Sequence, residues 1–261
     1  MDPRTPARPA RLAVSGRAVA GVLLDLDDTL IDTTAALVAA GAVAMAALWP
    51  DAPTDVHRAA ARLYRDDPAG LFRRFMQGEI TFEQMRAVRL TAVCDKFSLD
   101  PVEDAGPRYD TAFAPAFRAA YGEPGRLFED AVPLIERIRA QGTPVGLLTN
   151  SNDDFTKAKL EATGLAGRFD CVVTRDALGF GKPDPRVFHH TCQLIGIDPG
   201  RSTYIGDDLH ADALGAAAAG MTGIWLNRTS GGVDSKVAFD RAPAAAEIPA
   251  HIRVVETLTE V

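Results

Sequence analysis

Cysteine, tryptophan and positive charge are all scarce in this chain. The three cysteines, Cys94, Cys171 and Cys192, are odd in number and far apart. That points away from a disulfide framework or a CxxC metal site and fits a reducing, cytoplasmic compartment. Lys and Arg total 28 against 35 Asp and Glu, for a formal net charge of −7. With no basic run, this argues against a nucleic-acid partner. Long apolar runs are missing too. The most apolar stretch, AALVAAGAVAMAALW at 35–49, is shorter than the ~20 residues a membrane span needs, so it reads as a packed helix and no membrane partner is expected. The opening MDPRTPARPARLAVSGR lacks an uninterrupted apolar core because Arg11 and Arg17 break it. It is expected to be a flexible tail, not a signal peptide.

What is present is a chain of 261 residues, 47% hydrophobic and 24% charged, large enough for a core domain with a smaller inserted one. Five short apolar runs read as strands covered on both faces: AVAGVLL (18–24), TPVGLLT (143–149), CVVT (171–174), STYIG (202–206) and TGIWLN (222–227). Helical patterns lie between them, at 131–142, 154–164, 184–196 and 210–220. Gly142 is a sensible stop for the first, and Asp184 with Pro185 a cap and first-turn pair for the third. This alternation predicts an α/β fold, a doubly wound Rossmann-like parallel sheet.

Between about 34 and 127 no strand pattern interrupts the chain. Helices are expected near 34–48, 54–66, 70–77, 81–97 and 107–121, with YGEPG (121–125) as a hinge back to the sheet. The expected organisation is a flexible N-terminal tail over 1–17, an α/β core over 18–33 and 128–261, and an inserted all-helical module over 34–127.

The chemistry gathers where the strands end. GVLLDLDDTLIDT (21–33) sets Asp25, Asp27 and Asp28 at the end of a core strand, although two unit charges ~4 Å apart repel by about 4 kcal/mol at an effective dielectric of ~20. Thr149 and Asn150 follow the second strand, Lys182 the third, and Asp207, Asp208 and Asp212 the fourth. Ligands of open α/β sheets bind beyond the carboxyl ends of the strands, so the fold is expected to collect these residues. Clustered carboxylates call for a cation, and oxygen donors without His or Cys suit Mg²⁺. A lysine, a hydroxyl and Mg²⁺ facing one point suit a phosphoryl group, for which an Asp can be the nucleophile.

DLDDT (25–29), LLTN (147–150), GKPDP (181–185) and GDDLHAD (206–212) resemble, in order, the four motifs of the haloacid dehalogenase-like (HAD) superfamily. The helical insertion resembles the cap of its subfamily I, which includes phosphoglycolate phosphatase and several nucleotide and sugar-acid phosphatases. The resemblance implies a cap that closes over the substrate. It implies that Asp25 is the nucleophile and a Mg²⁺ ligand. Asp27 is the general acid and base, its backbone carbonyl also facing the metal. Thr149, Asn150 and Lys182 bind phosphate, Lys182 also offsetting charge on Asp25. Asp207 is the metal carboxylate of the fourth motif, and Thr29, Asp208 and Asp212 are supporting residues.

Asp27 bears on the reaction type, because an alkoxide leaving group needs a proton and a halide does not. The expected activity is hydrolysis of a phosphomonoester of a small soluble metabolite, by a monomer or homodimer. The alternatives are a phosphomutase acting on a sugar phosphate, a 2-haloacid dehalogenase, and a receiver-type phospho-acceptor domain. Plainer roles are expected elsewhere. Asp28 is a turn residue, Trp49 and Trp225 are core, and His189, His190 and His210 are surface or packing residues. Asn150 could instead cap the following helix. The arginines of the insertion, Arg58, Arg62, Arg65, Arg73, Arg74, Arg86 and Arg89, read mostly as solvated faces paired with Asp66, Asp67, Glu79 and Glu83. The segment 71–86 is the candidate substrate reader.

Overall fold

The computed structural model describes residues 13–14, 17–76, 78–101, 108–120, 125–228 and 248–261. The chain opens with β1 (Ala13–Val14), β2 (Arg17–Ala18), β3 (Gly21–Leu24) and β4 (Ile31–Asp32). Helices α1 (Thr33–Leu48), α2 (Thr54–Asp66), α3 (Leu71–Met76), α4 (Phe82–Phe97) and α5 (Ala114–Ala120) follow. Then come β5 (Arg126–Leu127), α6 (Ala131–Ala140), β6 (Val145–Leu148), α7 (Asp153–Ala162), β7 (Cys171–Val173) and α8 (Pro185–Leu194). The rest is β8 (Ser202–Gly206), α9 (Gly215–Ala218), β9 (Thr222–Leu226) and β10 (Arg253–Val255).

Two compact units result. One takes the described residues up to Asp32 and from Arg126 onward; the other takes those from Thr33 to Gly125. The first unit is built on a six-stranded sheet in the order β10-β9-β8-β3-β6-β7, with every neighbouring pair parallel. Alternate residues of β3 serve opposite faces, as a pleated strand requires. Val22 and Leu24 join Leu134, Ile135, Ile138 and Ile205 on one side, while Leu23 joins Val187, Phe188 and Tyr204 on the other. From β3 the chain moves to β6 and β7, then returns to β8 on the opposite side of β3 and proceeds to β9. The strand order therefore reverses between β3 and β8, where an open α/β sheet forms its ligand crevice.

The second unit is helical around Met45, Leu48, Trp49, Ala61, Leu90, Val93 and Phe113. A Cβ on Gly41 would meet that of Ala61 at 2.9 Å, so the small residues of α1 let α2 lie close. Thr81 and Gln84 cap α4 reciprocally.

Several elements differ from the sequence expectation. β3 begins at Gly21, because Arg17 and Ala18 pair with β1 instead, which replaces the end of the expected loose tail; residues 1–12 lie outside the described residues. The insertion was expected to hold no strand up to 127, but Arg126 and Leu127 pair with β4, in a ladder too short to show a sequence period. The sixth strand, β10, is an edge strand with two of its three residues exposed, so it carries no buried-strand signature. The helices expected at 107–121 and 210–220 each open with a π-helical turn, at Tyr109–Phe113 and Leu209–Leu214. Of the expected hinge, 121–124 lie outside the described residues.

Candidate active site

The chain turns sharply after β3. The N–H of Asp25 donates to the carbonyl of Ile205 at 3.0 Å, and those of Leu30 and Ile31 return to the carbonyl of Leu26. Asp28 takes φ 57° and donates its N–H to Ile31 at 2.7 Å. Asp tolerates this left-handed conformation better than most residues. The turn thus accounts for the third carboxylate of the cluster.

Asp25 and Lys182 are buried, 5% and 8% exposed. The Lys182 ammonium donates to Asp25 Oδ1 at 2.5 Å, to Asp212 Oδ1 at 2.7 Å and to the Tyr204 hydroxyl at 2.8 Å. These account for all three of its donors. The Tyr204 hydroxyl in turn donates a hydrogen bond to the Leu148 carbonyl at 2.8 Å. Burial pushes Asp25 up to about 7; Lys182 opposes this, while Asp212 and Asp27 add to it. Burial alone would lower Lys182, but Asp212 and Asp25 outweigh it and hold the ammonium charged.

Asp212 has both oxygens in use, since Oδ2 accepts the N–H of Asp208 at 2.9 Å. A Cβ on Gly206 would come within 2.2 Å of that oxygen, so the glycine of the fourth motif makes room for this carboxylate.

Asp207 is half-buried, and one carboxylate oxygen accepts the Thr29 hydroxyl at 3.3 Å. The same hydroxyl lies 3.4 Å from Asp25 Oδ2. Removal from water, and then Asp28, Asp25, Asp212 and Asp208, hold Asp207 well above the usual carboxylate range. Ligand oxygens of Asp25, Asp207 and Asp212 fall within 4.8 Å of one another. An all-carboxylate set with this surplus of negative charge has the chemistry of a divalent-cation site. Because Lys182 and the Asp208 N–H occupy Asp212, the oxygens best placed for a cation belong to Asp25 and Asp207.

The other expected site residues take different places. Thr149 is buried at the end of β6 and accepts the Ser151 N–H at 3.1 Å, a bond that uses a lone pair and leaves its O–H to donate. Asn150 neither caps a helix nor hydrogen-bonds to the carboxylates. Its side chain accepts the Lys182 N–H at 2.8 Å and donates to the Lys182 carbonyl at 3.0 Å, clamping the backbone that carries the lysine. A Cβ on Gly181 would come within 2.2 Å of its oxygen. The cap of α7 is Asn152. Asp208 accepts the N–H groups of His210 and Ala211 at 2.8 Å, so its carboxylate serves the start of the following π turn.

Four contributors escape the sequence motifs. Lys159 is buried on α7 and donates to Asp27 Oδ1 at 2.5 Å. It shares the buried face of α7 with Thr156 and Leu160, and that spacing was the available signal. Tyr204 sits mid-strand among apolar residues, where its hydroxyl needs a partner. Trp225 is more than a core residue: its indole N–H donates to the Asp207 carbonyl at 2.7 Å. Arg228 donates to the Thr29 carbonyl at 2.9 Å and forks onto Asp130 at 2.8 and 3.0 Å. Asp130 in turn accepts the Leu258 N–H at 2.9 Å, which ties the turn after β3 to the C-terminal segment.

In the helical unit, Arg74 pairs with Glu79, Arg89 with Asp67, and Arg86 with Asp110 instead of Glu83. Arg86 and Arg89 are not solvated faces. Their side chains are only 13% and 11% exposed, and they pack on the rings of Tyr109 and Tyr64, as a weakly hydrated guanidinium can. The side chain of Arg73 lies outside the described residues.

The family model described as haloacid dehalogenase-like hydrolase matches residues 19–220. A phosphoserine phosphatase of Thermus thermophilus is 31% identical over 140 residues, 48% of this chain but only 56% of that protein. A phosphoglycolate phosphatase of Thiobacillus denitrificans is 27% identical over 206 residues, 77% of this chain and 80% of that one. The solved structure of the magnesium-bound HAD hydrolase YfnB of Bacillus subtilis shares the fold, with a TM-score of 0.69 at 22% identity over 94% of this chain and 97% of that one.

Proposed function

Because the chain belongs to the haloacid dehalogenase-like hydrolases, we propose that it is a Mg²⁺-dependent phosphatase, hydrolysing a phosphomonoester of a small soluble metabolite through an aspartyl-phosphate on Asp25. The observation that carries this reading is the pairing of two carboxylates in one turn. Asp25 is buried and held by Lys182 at 2.5 Å, while Asp27, two residues on, keeps 29% of its side chain exposed. On this reading the first is the fixed nucleophile and the second the group that exchanges protons. A halide leaving group gives Asp27 nothing to do.

In the first half-reaction an oxygen of Asp25 bonds to phosphorus as the ester bond breaks, and the Asp27 carboxyl gives its proton to the departing oxygen. In the second, Asp27 takes a proton from water as that water attacks phosphorus, releasing inorganic phosphate and restoring Asp25. Thr149, whose O–H is left to donate, would serve a phosphoryl oxygen. Lys182 holds Asp25 and offsets its charge; any contact with the phosphoryl group requires it to exchange one of its three partners. Asp25, Asp207 and the Asp27 backbone carbonyl would hold Mg²⁺, which when bound supplies positive charge against the phosphoryl oxygens.

The relatives' names suggest where to look for substrate, among small phosphorylated acids. The test is a panel with p-nitrophenyl phosphate, O-phosphoserine, phosphoglycolate, nucleoside monophosphates and sugar phosphates. Turnover with Mg²⁺ that stops on adding EDTA is expected; no turnover of any member rejects the reading. Release of free phosphate, in place of an isomerised sugar phosphate, separates hydrolysis from mutase chemistry.

A further inference from the structure

Lys159 is a buried cation whose burial the fold alone does not explain. It is 6% exposed, on the face of α7 that also buries Thr156 and Leu160. An ammonium group in such a place is costly without a partner, and its partner is Asp27, 132 positions away in sequence and 2.5 Å away in space. The helix is fixed on both sides of the lysine. Asn152 caps its start, and the Thr163 hydroxyl donates to the Lys159 carbonyl at 2.6 Å. The contact therefore runs from a rigid element to a turn residue whose side chain is still 29% exposed.

We infer that Lys159 is a positioning residue for Asp27, holding Oδ1 so that Oδ2 is the oxygen that exchanges the proton with the leaving group. The inference rests on the phosphatase reading. In the first half-reaction the proton leaves the Asp27 carboxyl and bonds to the ester oxygen as the phosphorus–oxygen bond breaks. A carboxyl that turns freely about Cβ–Cγ offers neither oxygen at a fixed place. Anchoring one oxygen fixes the other, and proton transfer depends on that geometry. Lys159 is placed to act through Asp27, not on the substrate.

The test is leaving-group dependence. Protonation matters greatly for an alkoxide and little for p-nitrophenolate, which departs as a stable anion. Lys159→Met keeps an unbranched side chain but removes the ammonium. The quantity to read is kcat/KM, which reports the steps through phosphoryl transfer to Asp25. Lys159→Met is expected to lower kcat/KM about 100-fold for the best alkyl phosphate of the panel but no more than about threefold for p-nitrophenyl phosphate. Lys159→Arg is expected to recover most of the alkyl phosphate rate. Both substrates are assayed on the same preparation, so partial misfolding lowers both rates alike and leaves their ratio unchanged. Lys159→Gln, with the same expectation, replaces the Met variant should that one not fold. Equal losses on the two substrates, or no loss on either, overturn the positioning role and leave the phosphatase reading standing. A wild-type protein that turns over no phosphomonoester overturns that reading, and the inference with it.

Discussion

Asp25 in the α/β unit and Asp67 in the helical unit are nearly alike in setting. They are 5% and 3% exposed, and each has one cationic side chain at hand, Lys182 at 2.5 Å and Arg89 at 2.7 Å. Yet Asp25 is pushed up to about 7 while Asp67 is lowered. Burial raises both; the company differs. Asp67 is offset by Arg89 and by the backbone N–H groups of Phe72 and Leu71. Asp25 shares Lys182 with Asp212 and feels Asp212 and Asp27 as further negative charges. A buried acid with its own donors is a structural joint; one with a shared cation and acidic neighbours is held ready for a ligand.

The largest way to break the comparison is Asp25→Asn. Turnover should fall at least about 1,000-fold, as loss of a nucleophile does. The Tm without metal should hold or rise, because the change removes a charge whose surroundings disfavour it. A clear drop in Tm would mean that Asp25 is a joint like Asp67. The reverse is expected of Asp67→Asn, which leaves Arg89 without its charged partner and should cost about 3 kcal/mol of stability, read by denaturant unfolding.

That cost has a pH signature. Asp67 has a folded pKa below its unfolded value, so its stabilisation is fully present above pH ~4 and is lost as pH falls through the folded pKa. The gap in stability between wild type and Asp67→Asn should therefore be constant at neutral pH and narrow below pH ~4; a constant gap down to pH 2 would refute the pairing. The surplus charge at the other site has its own signature. Mg²⁺ at about 100 times its Kd should stabilise the wild type by about 2.7 kcal/mol, and Asp207→Asn should lose most of that shift in a thermal melt while its metal-free Tm does not fall.

The two regions were unequally legible in the sequence. β3, β6, β8 and β9 are buried along nearly their whole length, so continuous apolar runs marked them; β10, exposed on an edge, left no such mark. Asp25, Thr149, Lys182 and Asp207 stood out because each follows a strand within a motif. Lys159 and Tyr204 did not, because a lysine in a helix reads as surface and a tyrosine in a strand reads as core until the fold supplies the partner. Asn150 was visible as a polar residue at the right edge, but only the geometry shows that its amide holds the Lys182 backbone. In the helical unit the charges were legible and their burial was not. Arg86 and Arg89 look solvated in sequence, because stacking on Tyr109 and Tyr64 joins residues far apart in the chain.

The smallest expected effect is also the most discriminating, because it removes no charge. Tyr204→Phe deletes the acceptor that Lys182 uses at 2.8 Å and leaves the Leu148 carbonyl without its hydroxyl donor. The ring stays packed edge-on against Phe188, so the fold should lose only about 2 kcal/mol, the worth of two typical hydrogen bonds. Lys182 keeps Asp25 and Asp212, but with one proton no longer directed it can turn between them and the crevice. If its work is to hold Asp25 still, kcat should fall several-fold while KM barely moves. If its work is instead to meet the phosphoryl group, the freed donor should lower KM and spare kcat. Steady-state kinetics on one substrate separates the two, and a variant with both parameters unchanged would show that Asp25 and Asp212 alone set the ammonium, so that the shared cation needs no third partner.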